Sequence, residues 1–191
     1  MGEIILILGG ARSGKSTCAE QIAASLGGDS VLFVATAEPI DDEIRERITR
    51  HRASRPTTWR TVEAPVDAAA ALQAAYRGEH VVLLDCLTVL ATNLLIRATG
   101  PYDDPFDAPD RDPFDETIEA QVLTEINALV AFARSTSVTL LIVSNEVGLG
   151  VVPPYDLGRA YRDLLGRANQ AIAAEADRVV FMVAGLPLQV K

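Results

Sequence analysis

Apolar residues along this chain gather in five short runs, Ile4–Leu8, Val31–Ala35, Val81–Asp85, Thr139–Ser144 and Arg178–Val183. Each is of strand length and nearly continuous in hydrophobicity, the pattern of a strand buried on both faces. Helical patterns lie between them, among them Thr17–Leu26, a charged stretch led by Asp41, Asp42, Glu43 and Glu46, and a segment ending near Ala176. Alternating β and α segments predict an α/β fold with a mostly parallel central sheet and helices on both faces. Ligands of such sheets bind at the carboxyl ends of the strands. That rule selects the glycine-rich turn after the first run, Ala35–Glu38, Asp85–Thr88 and Asn145–Gly148. No internal repeat interrupts the alternation. A Pro- and Asp-rich stretch at about 100–115 reads as an irregular surface insertion, either a plain loop or a lid.

The first selected turn carries the sharpest signal. Gly9, Gly10, Ala11, Arg12, Ser13, Gly14, Lys15 and Ser16 fit G-x-x-x-x-G-K-[ST]. A strand precedes this octapeptide and a helix follows it. The arrangement aims backbone N–H groups and the positive helix end at an anion. Lys15 is placed to reach the outer phosphates, and the Ser16 hydroxyl to hold Mg²⁺. Asp85 ends the third apolar run. In phosphate-loop enzymes a carboxylate there helps hold Mg²⁺. The competing reading is an Asp that caps the next helix.

Six of the chain's fifteen arginines fall between Asp41 and Arg60: Arg45, Arg47, Arg50, Arg52, Arg55 and Arg60. A solvated helix face paired with the leading acids explains such a run. Alternatively, a subset grips phosphate by bidentate hydrogen bonds. His51 lies among them, on a stripe with Ile44 and Ile48 by the i, i+4, i+7 rule. It is either a structural residue at the edge of that stripe or a nucleophile. A neutral imidazole can attack phosphorus and form a phosphoramidate, with nearby arginines offsetting transition-state charge.

Residues 144–154 place two glycines and two prolines at a strand's carboxyl end, as a closing loop or a simple connection. Downstream, Arg159–Asp163 and Arg162–Asp163 are expected as surface pairs, or as groups facing a ligand. His80 stands at a strand start, and Cys18 and Cys86 have no metal-like or redox-like spacing.

Composition narrows the function classes. The 191 residues suit one domain spanning 1–191, and 49% hydrophobic with 5% aromatic residues implies an aliphatic core. A net charge of −9 argues against general nucleic-acid binding. Neither a bilayer-length apolar stretch nor a leader pattern is present, so a cytoplasmic protein without a membrane span is expected.

These segments together resemble a known family over almost the whole chain, the bifunctional adenosylcobinamide kinase/adenosylcobinamide-phosphate guanylyltransferases of cobalamin biosynthesis. The resemblance is carried by GGARSGKS (9–16), ATAEPIDDEIRERITRHRASRP (35–56), WRTVEAP (59–65), LLDCLTVLATNLL (83–95), VSNEVGLGVVP (143–153) and YRDLLGRANQAIAAEAD (161–177). The order R-I-x-x-H-x-x-x-R-P followed by W-x-T-x-E is more specific than the glycine loop alone. The stretch after Thr99 departs from the family pattern.

The resemblance implies a RecA-like P-loop NTPase fold and two reactions. A nucleoside triphosphate (ATP or GTP) phosphorylates adenosylcobinamide. GTP then gives GMP to the adenosylcobinamide phosphate, yielding adenosylcobinamide-GDP and pyrophosphate. The resemblance routes that GMP through a covalent histidine, and only His51 matches the motif. It also places Ala35, Thr36, Ala37, Arg52, Ala53, Ser54, Arg55, Glu63 and Asp85 around the guanine nucleotide, and implies a homotrimer. The alternative is a single-function P-loop kinase of a small alcohol with His51 structural. A non-catalytic nucleotide-binding module is the third reading.

Overall fold

Strands form where the apolar runs stand. A computed structural model of the protein describes residues 1–39, 42–53, 55–100 and 111–191. Its elements are β1 (Ile4–Gly9), α1 (Lys15–Gly27), β2 (Val31–Ala35), α2 (Asp42–Ala53), β3 (Arg60–Glu63), α3 (Ala68–Ala75), β4 (Val81–Asp85), α4 (Leu87–Thr99), α5 (Glu116–Ser135), β5 (Thr139–Asn145), α6 (Asp156–Glu175), β6 (Arg178–Val183) and β7 (Leu186–Gln189). Asp41, Ser54 and residues 101–110 of the expected insertion lie outside the described residues.

The seven strands form one sheet in the order β3-β2-β4-β5-β1-β6-β7. Every neighbouring pair is parallel except β6–β7. Side chains alternate across the strands. Ile4, Leu6, Leu32, Val34, Val82, Leu84, Leu140 and Ile142 enter one core with α3, α4, α5 and α6. Ile5, Ile7, Val31, Phe33, Val81, Leu83, Leu141 and Val143 enter the other with Ala19 and Ala23 of α1 and Trp59. Helices thus cover both faces, as in a RecA-like sheet.

Two strands have no apolar run behind them. The half-exposed β3 pairs only with β2. The exposed β7 joins β6 through Ala184–Gly185, whose φ values of 51° and 82° suit a tight primed hairpin turn.

At the amino ends of the strands, Asp177 accepts a hydrogen bond from the Ile4 N–H at 2.7 Å and one from Arg134 Nη1 at 2.7 Å. His80 lies at this end too, exposed, with its N–H bonded to Ser30. Two surface pairs follow helix spacing, Arg45–Asp42 at 2.5 Å and Arg50–Glu46 at 3.8 Å, while Arg162 and Asp163 pair as sequence neighbours at 3.2 Å. The expected Arg159–Asp163 pair does not form. Arg159 instead joins Asp156 in the first turn of α6, and its Nη1 donates to the Pro153 carbonyl. Among the described residues, no helix is long and apolar enough to cross a membrane.

Candidate functional site

The glycine loop grows from the carboxyl end of β1, which lies between β5 and β6. A Cβ at Gly9 would lie 2.6 Å from Ser13 Oγ and 2.7 Å from the Met182 carbonyl oxygen, so the loop can pass there only as glycine. Gly14 is the N-cap of α1 at φ 92° and offers no side chain to the first-turn amides. By helix geometry those amides point outward without intrahelical acceptors. Lys15 Nζ donates to the Gly10 carbonyl at 2.6 Å across the loop. The β6–β7 turn braces the far side, where the Gly185 N–H donates to the Ser13 carbonyl at 3.1 Å. Ser13 Oγ is buried without a hydrogen-bond partner in the structure. Ala11 and Arg12 are exposed, Arg12 at φ 55°.

Asp85 ends β4 beside Ala35 of β2 and Val143 of β5. Its carboxylate bonds to the Ser16 hydroxyl and feels the charges of His51, Arg55 and Lys15. Burial pushes its pKa up, and those four partners oppose the rise. One carboxylate therefore gathers the glycine loop, the first turn of α1 and the end of the arginine-rich helix. Hydroxyl and carboxylate oxygens are hard donors. They fit Mg²⁺, which takes few protein ligands together with substrate phosphates.

The strand ends that hold Asp85 are knotted together. Thr36 Oγ1 donates to the Cys86 carbonyl at 2.9 Å and accepts from the Cys86 N–H at 2.8 Å. Asn93 Nδ2 donates to the Thr36 carbonyl at 3.0 Å and to the Pro65 carbonyl at 2.8 Å. Thr36 is fully buried, so its hydroxyl shapes the site from behind, while Ala35 and Ala37 are half-buried. On the other flank, Thr88 Oγ1 accepts from the Asn145 N–H at 2.7 Å, and Ser144 Oγ bonds Asn169 Oδ1 at 2.6 Å. The Glu146 N–H donates to the Gly9 carbonyl at 3.1 Å, which ties the end of β5 to the loop.

The last turn of α2 holds Arg50, His51 and Arg52. His51 is half-buried, whereas Arg52 and Ala53 are exposed. Arg52 Nη1 lies 3.9 Å from Glu63 Oε1, between two exposed side chains at the end of β3. Arg55 Nε donates to the His51 carbonyl at 3.0 Å, and its guanidinium carbon sits 3.6 Å over the Phe33 ring.

Glu20, which no sequence motif marks, also belongs here. It follows Ser16 by four residues, so both lie on one face of α1. Burial raises its pKa, the like charge of Asp85 adds to the rise, and Arg55 opposes it. The i+4 spacing from the phosphate-loop serine is the one sequence signal that could have found it. Gly185 and Phe33 carry no such signal.

Comparison with known proteins gives the family. A protein-family profile described as "Cobinamide kinase / cobinamide phosphate guanyltransferase" matches residues 5–190. The chain is 40% identical over 190 residues to the "Bifunctional adenosylcobalamin biosynthesis protein CobU" of Escherichia coli, covering 98% of this chain and 99% of that one. It is 43% identical over 186 residues to the "Bifunctional adenosylcobalamin biosynthesis protein CobP" of Pseudomonas aeruginosa, covering 97% and 96%. Among solved structures, an ATPase of a bacterial type III secretion system superposes with a TM-score of 0.58 at 15% identity, over 99% of this chain and 57% of that one. That likeness speaks for the P-loop fold alone. On the profile match and the near-full-length identities, this chain belongs to the cobinamide kinase / cobinamide phosphate guanyltransferase family.

Proposed function

We propose that this protein phosphorylates the aminopropanol hydroxyl of adenosylcobinamide with ATP or GTP, and then joins GMP to the resulting phosphate. The observation that carries the reading is the convergence of Lys15, Ser16, His51 and Arg55 on Asp85. That convergence supports a single site shared by the triphosphate loop and the histidine-bearing helix. The family description names both activities, which favours this reading over a single-function kinase.

In the kinase step the substrate hydroxyl attacks the γ-phosphorus, the bond to the β,γ-bridging oxygen breaks, the nucleoside diphosphate leaves and the hydroxyl proton passes to solvent. Loop amides and Lys15 hold the triphosphate, and Ser16 and Asp85 would hold Mg²⁺, which supplies charge neutralisation on the phosphates. In the second reaction an imidazole nitrogen of His51 attacks the α-phosphorus of GTP. The bond to the pyrophosphate oxygen breaks and pyrophosphate leaves. A phosphate oxygen of adenosylcobinamide phosphate then attacks the same phosphorus, the N–P bond breaks, and His51 is restored. One nucleotide pose cannot readily present both γ- and α-phosphorus in line. A covalent histidine resolves this by making GMP transfer two in-line displacements.

Ala35–Ala37, Arg52, Ala53, Ser54, Arg55 and Glu63 complete the guanine nucleotide site in this reading, with Glu63 accepting hydrogen bonds from ribose or base. A homotrimer working in the cytoplasm, with neither nucleic acid nor membrane as partner, belongs to the same proposal. The test is exposure to GTP labelled at the α-phosphate. Acid-labile label is expected on the protein and is expected to vanish in His51→Ala. Label retained in that variant overturns the nucleophile.

A further inference from the structure

A polar cluster behind the glycine loop takes no part in the reactions above. Thr88, Ser144 and Asn169 are all buried. Hydrogen-bonded polar groups in a core add rigidity more than net stability over an apolar filling. What they hold here is Asn145, the last residue of β5. The ladder between β4 and β5 runs from the Thr139 N–H, which donates to the His80 carbonyl, to the Asp85–Val143 pair. There β4 ends, and the Thr88 hydroxyl takes over as acceptor for the Asn145 N–H at 2.7 Å. Asn169 Nδ2 donates to the Asn145 carbonyl at 2.9 Å, and Ser144 Oγ donates to Asn169 Oδ1 at 2.6 Å. Both backbone groups of Asn145 are thus fixed. Its carboxamide is half-buried and has no hydrogen-bond partner among the described residues.

Strand alternation decides which side that carboxamide takes. Leu141 and Val143 of β5 enter the core shared by Ala19 and Ala23 of α1, as do Ile7 of β1 and Leu83 of β4. Asn145, Gly9 and Asp85 each follow one of these by two residues, so all three lie on the α1 side of the sheet. Gly9 is in register with Asn145, and the Glu146 N–H donates to the Gly9 carbonyl at 3.1 Å. Asp85 is in register with Val143, so Asn145 stands two residues, about 7 Å, further out along the strand direction. In the order β4-β5-β1, Asn145 therefore stands between the Asp85 carboxylate and the glycine loop.

We propose that the Asn145 carboxamide holds the acceptor alcohol against the γ-phosphate in the kinase step. Its Nδ2 donates to a γ-phosphate oxygen and its Oδ1 accepts from the alcohol O–H, so one planar group orients both reactants. The amide keeps its protons throughout, and the bonds that form and break are those of the kinase step above. Thr88 and Asn169 are positioning residues, acting through Asn145. The inference rests on the kinase reading of the site. Adduct formation at the α-phosphorus uses no acceptor alcohol, so it is far less sensitive to Asn145.

The experiment compares wild type with Asn145→Ala, Asn145→Asp, Thr88→Val and Thr88→Ser. It follows adenosylcobinamide phosphate formation with ATP, varying each substrate, and GMP adduct formation separately in a single turnover with α-labelled GTP. Asn145→Ala and Asn145→Asp are expected to lower the kinase kcat at least about tenfold, while KM for ATP and the adduct rate stay within about threefold. The aspartate keeps the shape and the acceptor but loses the donor and sets a negative charge against the phosphate. Thr88→Val is expected to lower kcat in the same direction, and Thr88→Ser to restore it. A wild-type kcat in Asn145→Ala overturns the role of the carboxamide, and in Thr88→Val that of the cluster behind it. A raised KM for ATP at unchanged kcat also overturns the proposal, leaving Asn145 a nucleotide contact alone. So does an equal loss of kinase and adduct formation, which makes Asn145 structural. Wild-type protein that forms no adenosylcobinamide phosphate from ATP overturns the kinase reading itself, a separate and distinguishable failure.

Discussion

Thr36 and Cys86 exchange a reciprocal pair of hydrogen bonds through one hydroxyl, joining the end of β2 to the residue after Asp85. Thr36→Val keeps the shape but strands a buried N–H and a carbonyl. A loss of about 1–3 kcal/mol is expected in urea unfolding. Both half-reactions are expected to fall together, because each needs Asp85 in place, and Thr36→Ser should restore them. Full activity in Thr36→Val would show that the knot does not position the site.

Gly9→Ala tests the loop. The new methyl would meet the Met182 carbonyl oxygen at 2.7 Å, and backbone cannot yield there without moving β6. Calorimetry is expected to show ATP and GTP binding weakened at least about tenfold while unfolding stays cooperative. Unchanged affinity for both nucleotides would mean that the phosphates rest elsewhere.

Asp177 sets an acid limit on stability. Hydrogen bonds from Arg134 and the Ile4 N–H hold its carboxyl below the ordinary value. A depressed carboxylate stabilises the fold above its ordinary pKa, and that stabilisation is lost as pH falls through the lower folded value. Asp177→Asn is expected to cost about 1 kcal/mol at pH 7, a figure discounted for the solvent around this partly exposed pair. Its thermal midpoint should also depend less on pH below about 5. Parallel pH curves for the two proteins would remove Asp177 from this account.

The Cys86 thiol is pushed up to about 11, by burial first and then by the neighbouring Asp85 charge. At pH 8 only about one molecule in a thousand carries the thiolate that reacts. Iodoacetamide is expected to leave Cys86 unmodified in the native protein at pH 8 and to label it on unfolding. The unfolded thiol ionises first, so this group also withdraws stability as pH rises between the ordinary and folded values. Prompt stoichiometric alkylation of native Cys86, read by peptide mass, would contradict the shift.

What the sequence discloses of this site follows from how local each signal is. Gly9–Ser16 and the strand before them form one contiguous pattern, so Lys15 and Ser16 can be placed from the motif, and Asp85 follows from a strand that ends in a carboxylate. β3 and β7 escape the pattern because each is a short edge strand. Four residues with no buried face give no apolar run, and Ala184–Gly185 lacks the Asn-Gly or Asp-Gly signal of a hairpin. Phe33 meets Arg55 only after separate elements have packed. Arg159 shows the same limit at short range, since two acids lie within a turn of it and the loop carbonyl at Pro153 favours Asp156.

The exposed character of α2 has a thermodynamic corollary. Its described side chains are exposed or half-buried, a character that favours local opening over global unfolding. Its amides should exchange with deuterium through small local openings, long before those of β1, β4 or β5. Substitutions along its outer surface can retune the charge around the nucleotide while leaving the global unfolding transition where it was. The helix that carries His51 is thereby expected to open more readily than the strands that carry Asp85 and the glycine loop.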